Sequence, residues 1–164
     1  MPHQRTTTTH ERIILPADEE SFDLLINHEN LDPMDIVRIV GHHRVDDWKY
    51  LGPIFTGTHL YQVKLVRLGR VTNLQDARQR ASQRGCRLLE GQGIIAFREK
   101  FPHADGFNPI TFGGSEWERP NKRPAVTCLY TMNNDWDPYF RWSESNFHEN
   151  YLWALVEQEI PPQS

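Results

Sequence analysis

The stretch Val71–Phe101, VTNLQDARQRASQRGCRLLEGQGIIAFREKF, restricts the fold of this chain more than any other, because it carries two consecutive amphipathic helix patterns split by a glycine. Thr72-Asn73-Leu74-Gln75 fits a capping box, in which the Thr72 hydroxyl accepts from the Gln75 backbone N–H and the Gln75 side chain reaches back. Leu74, Ala77 and Ala81 recur at helical spacing and give a narrow face of small residues, suited to close approach to a sheet. Gly85 supplies a left-handed cap. The second helix, from about Gln92 to Lys100, turns Ile94, Phe97 and Phe101 inward before Pro102 stops it. Ahead of the pair, LYQVKLVRL sets Tyr61, Val63 and Leu65 against Gln62 and Lys64, a strand with one wetter face. Behind it, PITF, AVTCLY, YFRW and YLWALVE read as short strands between Gly-, Pro- and Asn-rich loops. The class expected is α+β: two helices packed on small antiparallel sheets.

With 164 residues the chain is long enough for one well-packed core. The pattern divides it into a polar arm over 1–10, expected to be disordered, an N-terminal extension over 11–57, and the main domain over 58–160. Inside the extension a short helix is expected over Asp18–Asn27, with Phe22, Leu25 and Ile26 on one face. MDIVRIVGHH reads as a buried strand ending at Gly41, followed by a loop that carries Trp48 and Tyr50. A net charge of -4 argues against a general nucleic-acid binder, which needs a basic face to release phosphate counterions. Arg78, Arg80, Arg84 and Arg87 therefore read as a solvated helix face. Neither a signal-peptide core nor a run of membrane-spanning length is visible, so the expectation is a cytoplasmic protein without a membrane partner. Cys86 and Cys128 read as two lone thiols.

At Val71–Phe101 the chain resembles the first half of a C-type lectin-like domain. Members open with a strand, then a helix of the form (T/S)xxxAxxxAxxxG, an (R/C)L turn and a second helix bearing an aromatic. Thr72, Ala77, Ala81, Gly85, Arg87-Leu88 and Phe97 stand at those places here. A strand ending near a Trp follows, matched by GGSEW over Gly113–Trp117, and YLWALVEQE matches the last strand, which closes such domains by pairing with the first. The chain lacks the helix-one cysteine of the extracellular lectins. It resembles instead the disulfide-poor microbial branch, with the variable receptor proteins diversified by retroelements and the formylglycine-generating-enzyme-like folds. It is also similar to small bacterial proteins in which a GSxW strand precedes an aromatic-rich stretch. Formylglycine-generating chemistry is set aside, because it needs paired cysteines late in the chain and none follows Cys128.

Four groups of residues bear on function. Glu118 and Asn121, in ERPN, resemble the Glu-Pro-Asn calcium loop with an Arg inserted, and Asn134 with Asp135 resembles its Asn-Asp strand end. The same sequences are ordinary turns, so the preferred reading is no metal and no cofactor. His42-His43 with Asp46-Asp47, joined by His103 and Asp105, could form a metal nest, although adjacent histidines on a strand point to opposite faces. Cys86 lies between Arg84 and Arg87 with no general base in sequence reach. Finally, MNNDWDPYFRWSESNFHENYLW mixes Tyr and Trp with Asn, Asp and Ser, a composition suited to recognition. Trp117, Phe140, Trp142 and Trp153 are assigned to the core, and Asn133, Asn134, Trp136, Asp137 and Tyr139 to ligand contact.

The expected function is a non-enzymatic binding module that takes a protein or glycan ligand through the loops between Glu118 and Asn146, with homo-oligomerisation through the N-terminal extension. One alternative is a metal-dependent hydrolase using the His/Asp cluster. The other is a structural or assembly subunit of a phage or bacterial complex.

Overall fold

The computed structural model describes residues 15–41, 44–103, 108–132 and 135–161. The arm over 1–10, and with it His42, His43, Asp105, Asn133 and Asn134, lies outside the described residues. Strands are β1 (Phe22–Asn27), β2 (Lys49–Tyr50), β3 (Thr58–Arg67), β4 (Arg87–Leu88), β5 (Ile110–Glu118), β6 (Pro124–Met132), β7 (Asp135–Trp142) and β8 (Leu152–Ile160). Helices are α1 (Met34–Val40), α2 (Leu74–Gln83) and α3 (Gly93–Lys100). The strands form one mixed sheet in the order β1-β3-β8-β5-β6-β7, with β2 added on β5 and β4 on β8. The protein is therefore α+β and rich in strand.

The two ends of the main domain meet. β3 and β8 pair antiparallel from Leu60↔Ile160 to Arg67↔Leu152, with a register shift between Gln62 and Val63. A closing pair of this kind needs the whole intervening chain to fold back, and the α2–α3 segment does that by covering both sheet faces. Leu74, Ala77 and Ala81 of α2 pack with Val66, Leu88, Phe147 and Trp153 on one face. Ile94 and Phe97 of α3 join Val63, Leu65, Phe112 and Trp117 on the other. Tyr61, Val63 and Leu65 of β3 enter one core and Val66 the other, while Gln62 and Lys64 on that second face stay half-exposed.

Three local expectations change. Phe22–Asn27 is a strand, not part of a helix: Leu24 and Ile26 are buried and Leu25 between them is 59% exposed, a period of two. β1 pairs with β3, and its inward residues belong to the same core as Phe97, so the extension adds directly to the sheet. Met34–Val40 is a helix, not a strand, with Ile36 and Val37 buried. Its start and stop were visible in the sequence: the Asp32 carboxylate accepts from the Met34 N–H at 3.0 Å, and Gly41 ends the helix at φ 102°. The α2 cap sits one residue later than expected. Asn73 Oδ1 accepts from the Asp76 N–H at 2.9 Å, and the Asp76 carboxylate accepts from the Thr72 N–H at 3.0 Å. Asp76 completes that box because its shorter side chain already lies under the Thr72 amide.

Gly114 of GGSEW is where the chain between α2 and α3 crosses β5. Its N–H donates to the Leu89 carbonyl at 2.8 Å, and a Cβ there would meet Leu88 O at 2.3 Å and Glu90 N at 2.6 Å. Only glycine allows backbone to pass backbone at that separation. This crossing fixes Glu90 beneath the sheet.

Candidate functional site

Of the contact residues expected from sequence, Trp136, Asp137 and Tyr139 fall on β7, which pairs with β6 from Ala125↔Trp142 to Met132↔Asp135. Trp136 is not exposed: it is 7% accessible, packs on Phe97 at 5.5 Å between ring centroids, and donates its indole N–H to the Phe101 carbonyl at 2.7 Å. The carboxylates flanking it do not forbid this, because successive strand residues point to opposite faces. Asp135 is exposed and Asp137 half-buried while Trp136 turns in. Asp137 and Tyr139 do share one face, and that face is wider than the sequence suggested. Tyr130 stands directly across from Asp137, and Tyr139 lies across from Cys128. Tyr130 and Tyr139 meet edge to face at 5.6 Å, and the Tyr139 and Tyr151 hydroxyls are 3.4 Å apart. Burial pushes the Tyr139 phenol far up. Beneath it Cys128 is fully buried, with its thiol pushed up by burial to about 11 and thus unreactive at neutral pH. Of the other aromatics, Trp117 and Trp153 are fully buried, Phe140 is partly buried against the same core as Trp117, and Trp142 is half-buried.

Of the described calcium candidates, Glu118 and Asn121 lie at one turn and Asp135 is far from both. Glu118 pairs with Pro124 at one end of β6, whereas Asp135 pairs with Met132 at the other. A nine-residue strand separates them by roughly 26 Å at about 3.3 Å per residue. Asn121 Oδ1 already accepts from the Arg123 N–H at 3.1 Å as a turn-former, and Glu118 faces Lys122 at 4.0 Å. Among the described residues no group of three or more His, Cys, Asp or Glu is placed to hold a metal. Of the His/Asp cluster, Asp47 pairs with Arg44 at 3.0 Å. Cys86 and Cys128 are both free, and Cys86 turns its thiol to the Arg84 carbonyl at 3.6 Å.

A polar cluster that sequence reasoning missed centres on Glu90, whose side chain is wholly buried. Its Oε2 accepts from Tyr61 Oη at 2.8 Å and faces His28 Nε2 at 3.0 Å, while Oε1 accepts from Arg87 Nη1 at 3.1 Å. Burial alone would push this carboxyl up. The bonds from His28 and Tyr61 and the Arg87 charge outweigh it and hold Glu90 below the usual carboxylate range. Burial and the Glu90 charge push the Tyr61 phenol far above its ordinary value. The signal available in sequence was the one acidic residue in RLLEGQGII, an apolar surround in which a carboxylate must find partners.

Next to Tyr61, His59 contacts the Glu159 carboxylate through Nδ1 at 2.8 Å and the Thr56 carbonyl through Nε2 at 2.7 Å. Both partners are acceptors, so protonation of the ring satisfies both contacts at once. The hydrogen bond to Glu159 raises its pKa accordingly. A group raised on folding contributes stability that is complete below its ordinary value near 6.5 and fades as pH rises through the higher folded value. The wild type should therefore lose less than about 1 kcal/mol between mildly acidic and mildly alkaline pH, and His59→Gln should flatten that step in urea melts. A step of unchanged size in the variant would assign it to another group. A cleft of about 520 Å³ opens over this cluster, lined by Phe55, His59, Tyr61, Cys86, Arg87 and Glu159 among others. Glu90 itself is shut off from it and has every oxygen engaged, so it anchors Tyr61 and Arg87 and is not poised to exchange protons with a ligand.

No protein-family model matches the chain, and neither a curated protein nor a solved structure is similar to it at a significant level. Among the described residues no helix is long and apolar enough to cross a membrane.

Proposed function

We propose that the protein is a non-enzymatic binding module of C-type lectin-like architecture, of the disulfide-poor microbial branch, taking a protein or glycan ligand on its β5–β7 half-sheet. The pairing of first and last long strands, with two helices between them and a three-strand half-sheet beyond, supports the architecture. The observation that carries the binding reading is the tyrosine face: Tyr130, Asp137, Tyr139 and Tyr151 share one side of the sheet at its β7 edge. Tyrosines present large rigid area with a polar tip at low entropic cost. A cytoplasmic location is part of the proposal and is supported by the two free cysteines.

The test combines affinity with stability. Against a ligand identified from a glycan array or from a defined set of purified proteins, Tyr130→Ala together with Tyr139→Ala should weaken binding at least tenfold, as for a hot-spot pair worth about 2 kcal/mol. Melting should shift by only a few degrees. Binding unchanged in that variant would remove the tyrosine face as the contact surface.

A further inference from the structure

The β5–β6 turn carries two arginines that share one aromatic ring. Seven arginines of the described chain, among them Arg67, Arg78 and Arg84, lie within salt-bridge distance of a carboxylate. Arg119 and Arg123 have no carboxylate within 4.0 Å among the described residues, and both lie on the same indole. The Arg123 guanidinium sits 3.4 Å from the centre of the Trp142 ring, and that of Arg119 lies 5.7 Å from it and 5.5 Å from Trp48. The backbone holds them together: the Arg119 N–H donates to the Arg123 carbonyl at 2.9 Å, and the turn is closed by Lys122 at φ 71°. Burial lowers the Arg119 pKa.

Two fixed cations on one aromatic ring repel each other, and a chain of net charge -4 has carboxylates to spare for neutralising them. An external oxyanion would neutralise them. Guanidinium forks match the planar or tetrahedral oxygens of a sulfate, phosphate or carboxylate, and stacking on Trp142 fixes the fork direction in advance. Glu118 in the same turn faces Lys122 and would repel a continuous run of phosphates, so nucleic acid is disfavoured. A single charged ester on an otherwise neutral, hydroxyl-rich molecule meets both conditions, because Glu118 then serves as an acceptor for hydroxyls.

We infer that the Arg119–Arg123 turn binds the sulfate or phosphate ester of a saccharide. The site lies at the Pro124 end of β6, on the sheet face opposite Tyr139, because Tyr139 and Trp142 are an odd number of strand residues apart; it is a ligand contact independent of the tyrosine face.

Titration calorimetry of the full chain with galactose 6-sulfate and galactose 6-phosphate, against galactose, inorganic sulfate and inorganic phosphate, tests it. Either ester should bind at least tenfold more tightly than galactose and than its own free anion, and the stronger ester identifies the source. Arg123→Ala should weaken that binding at least tenfold, and Arg123→Lys should recover only part of it, because the ammonium keeps the charge but not the fork. Arg123 is exposed, so its variants should melt with the wild type; if Arg119→Ala unfolds, the Arg123 series carries the test. Undiminished ester binding by Arg123→Ala, no binding of either ester, or tighter binding of a phosphoserine peptide or a short DNA duplex would each overturn the inference. Ester binding should survive the Tyr130→Ala, Tyr139→Ala variant, whose tyrosines lie on the opposite face of the sheet, and its loss there would overturn the inference.

Discussion

Glu90→Ala should lower the free energy of unfolding by about 3–5 kcal/mol, the range for breaking a buried charged network by removing one partner. In a chain of 164 residues that corresponds to a fall in melting temperature of roughly 10 °C or more. The loss arises from what is left behind. His28 and Tyr61, both buried, would keep polar atoms aimed at an empty space, and Arg87 would lose the carboxylate that draws it over the Tyr61 ring at 4.8 Å. Glu90→Gln should recover little, because an amide presents a donor where the carboxylate received Arg87 or Tyr61. The pH dependence has a definite sign. Since folding depresses the Glu90 pKa, its stabilisation is present above the ordinary value near 4.5 and disappears as pH falls through the folded value. Chemical denaturation of wild type and Glu90→Ala in parallel from neutral to acid pH measures it: the two curves should converge in acid. Curves that remain separate by the full amount, or a variant as stable as the wild type at neutral pH, would show that the carboxylate is not holding the cluster together.

Trp136→Ala should cost about as much, 3–5 kcal/mol by the range for large aromatic residues in cores. The indole fills the space against Phe97 and satisfies the Phe101 carbonyl just where α3 ends. Trp136→Phe separates the two contributions. It keeps most of the packing and leaves only the carbonyl without its donor, so about 1–3 kcal/mol should be lost. Urea unfolding followed by far-ultraviolet circular dichroism reads both variants without relying on the fluorescence of the residue removed. A fully stable Trp136→Ala protein would return this residue to the surface.

The error over Trp136 shows where sequence reasoning stops. Asp135 and Asp137 flank it, and burying two unpaired carboxylates is costly, so exposure looked forced. Once the segment is a strand, the same two neighbours face away and the cost vanishes. The exposed reading depended on a loop that the β6–β7 register replaces with a strand starting at Asp135.

What the sequence determined by itself is the local grammar of its middle. The small-residue face of α2, the Gly85 stop at φ 74°, the extent of α3 and the alternation of β3 were all legible, because each depends on neighbours within a turn or two. The meeting of Leu60–Arg67 with Leu152–Ile160 was legible only through the resemblance, since no local signal specifies a partner some ninety residues away. Only the tertiary structure decided the rest. It made Phe22–Asn27 a strand by offering β3 as a partner, and it separated Glu118 from Asp135 by the length of β6. It drew His28, Tyr61 and the Arg87–Glu90 segment together from three distant stretches, and it set Arg119 and Arg123 over the single ring of Trp142. Such groupings are fixed by strand register and by backbone crossings such as Gly114, which act between segments far apart in the chain and therefore leave no period in the sequence to read.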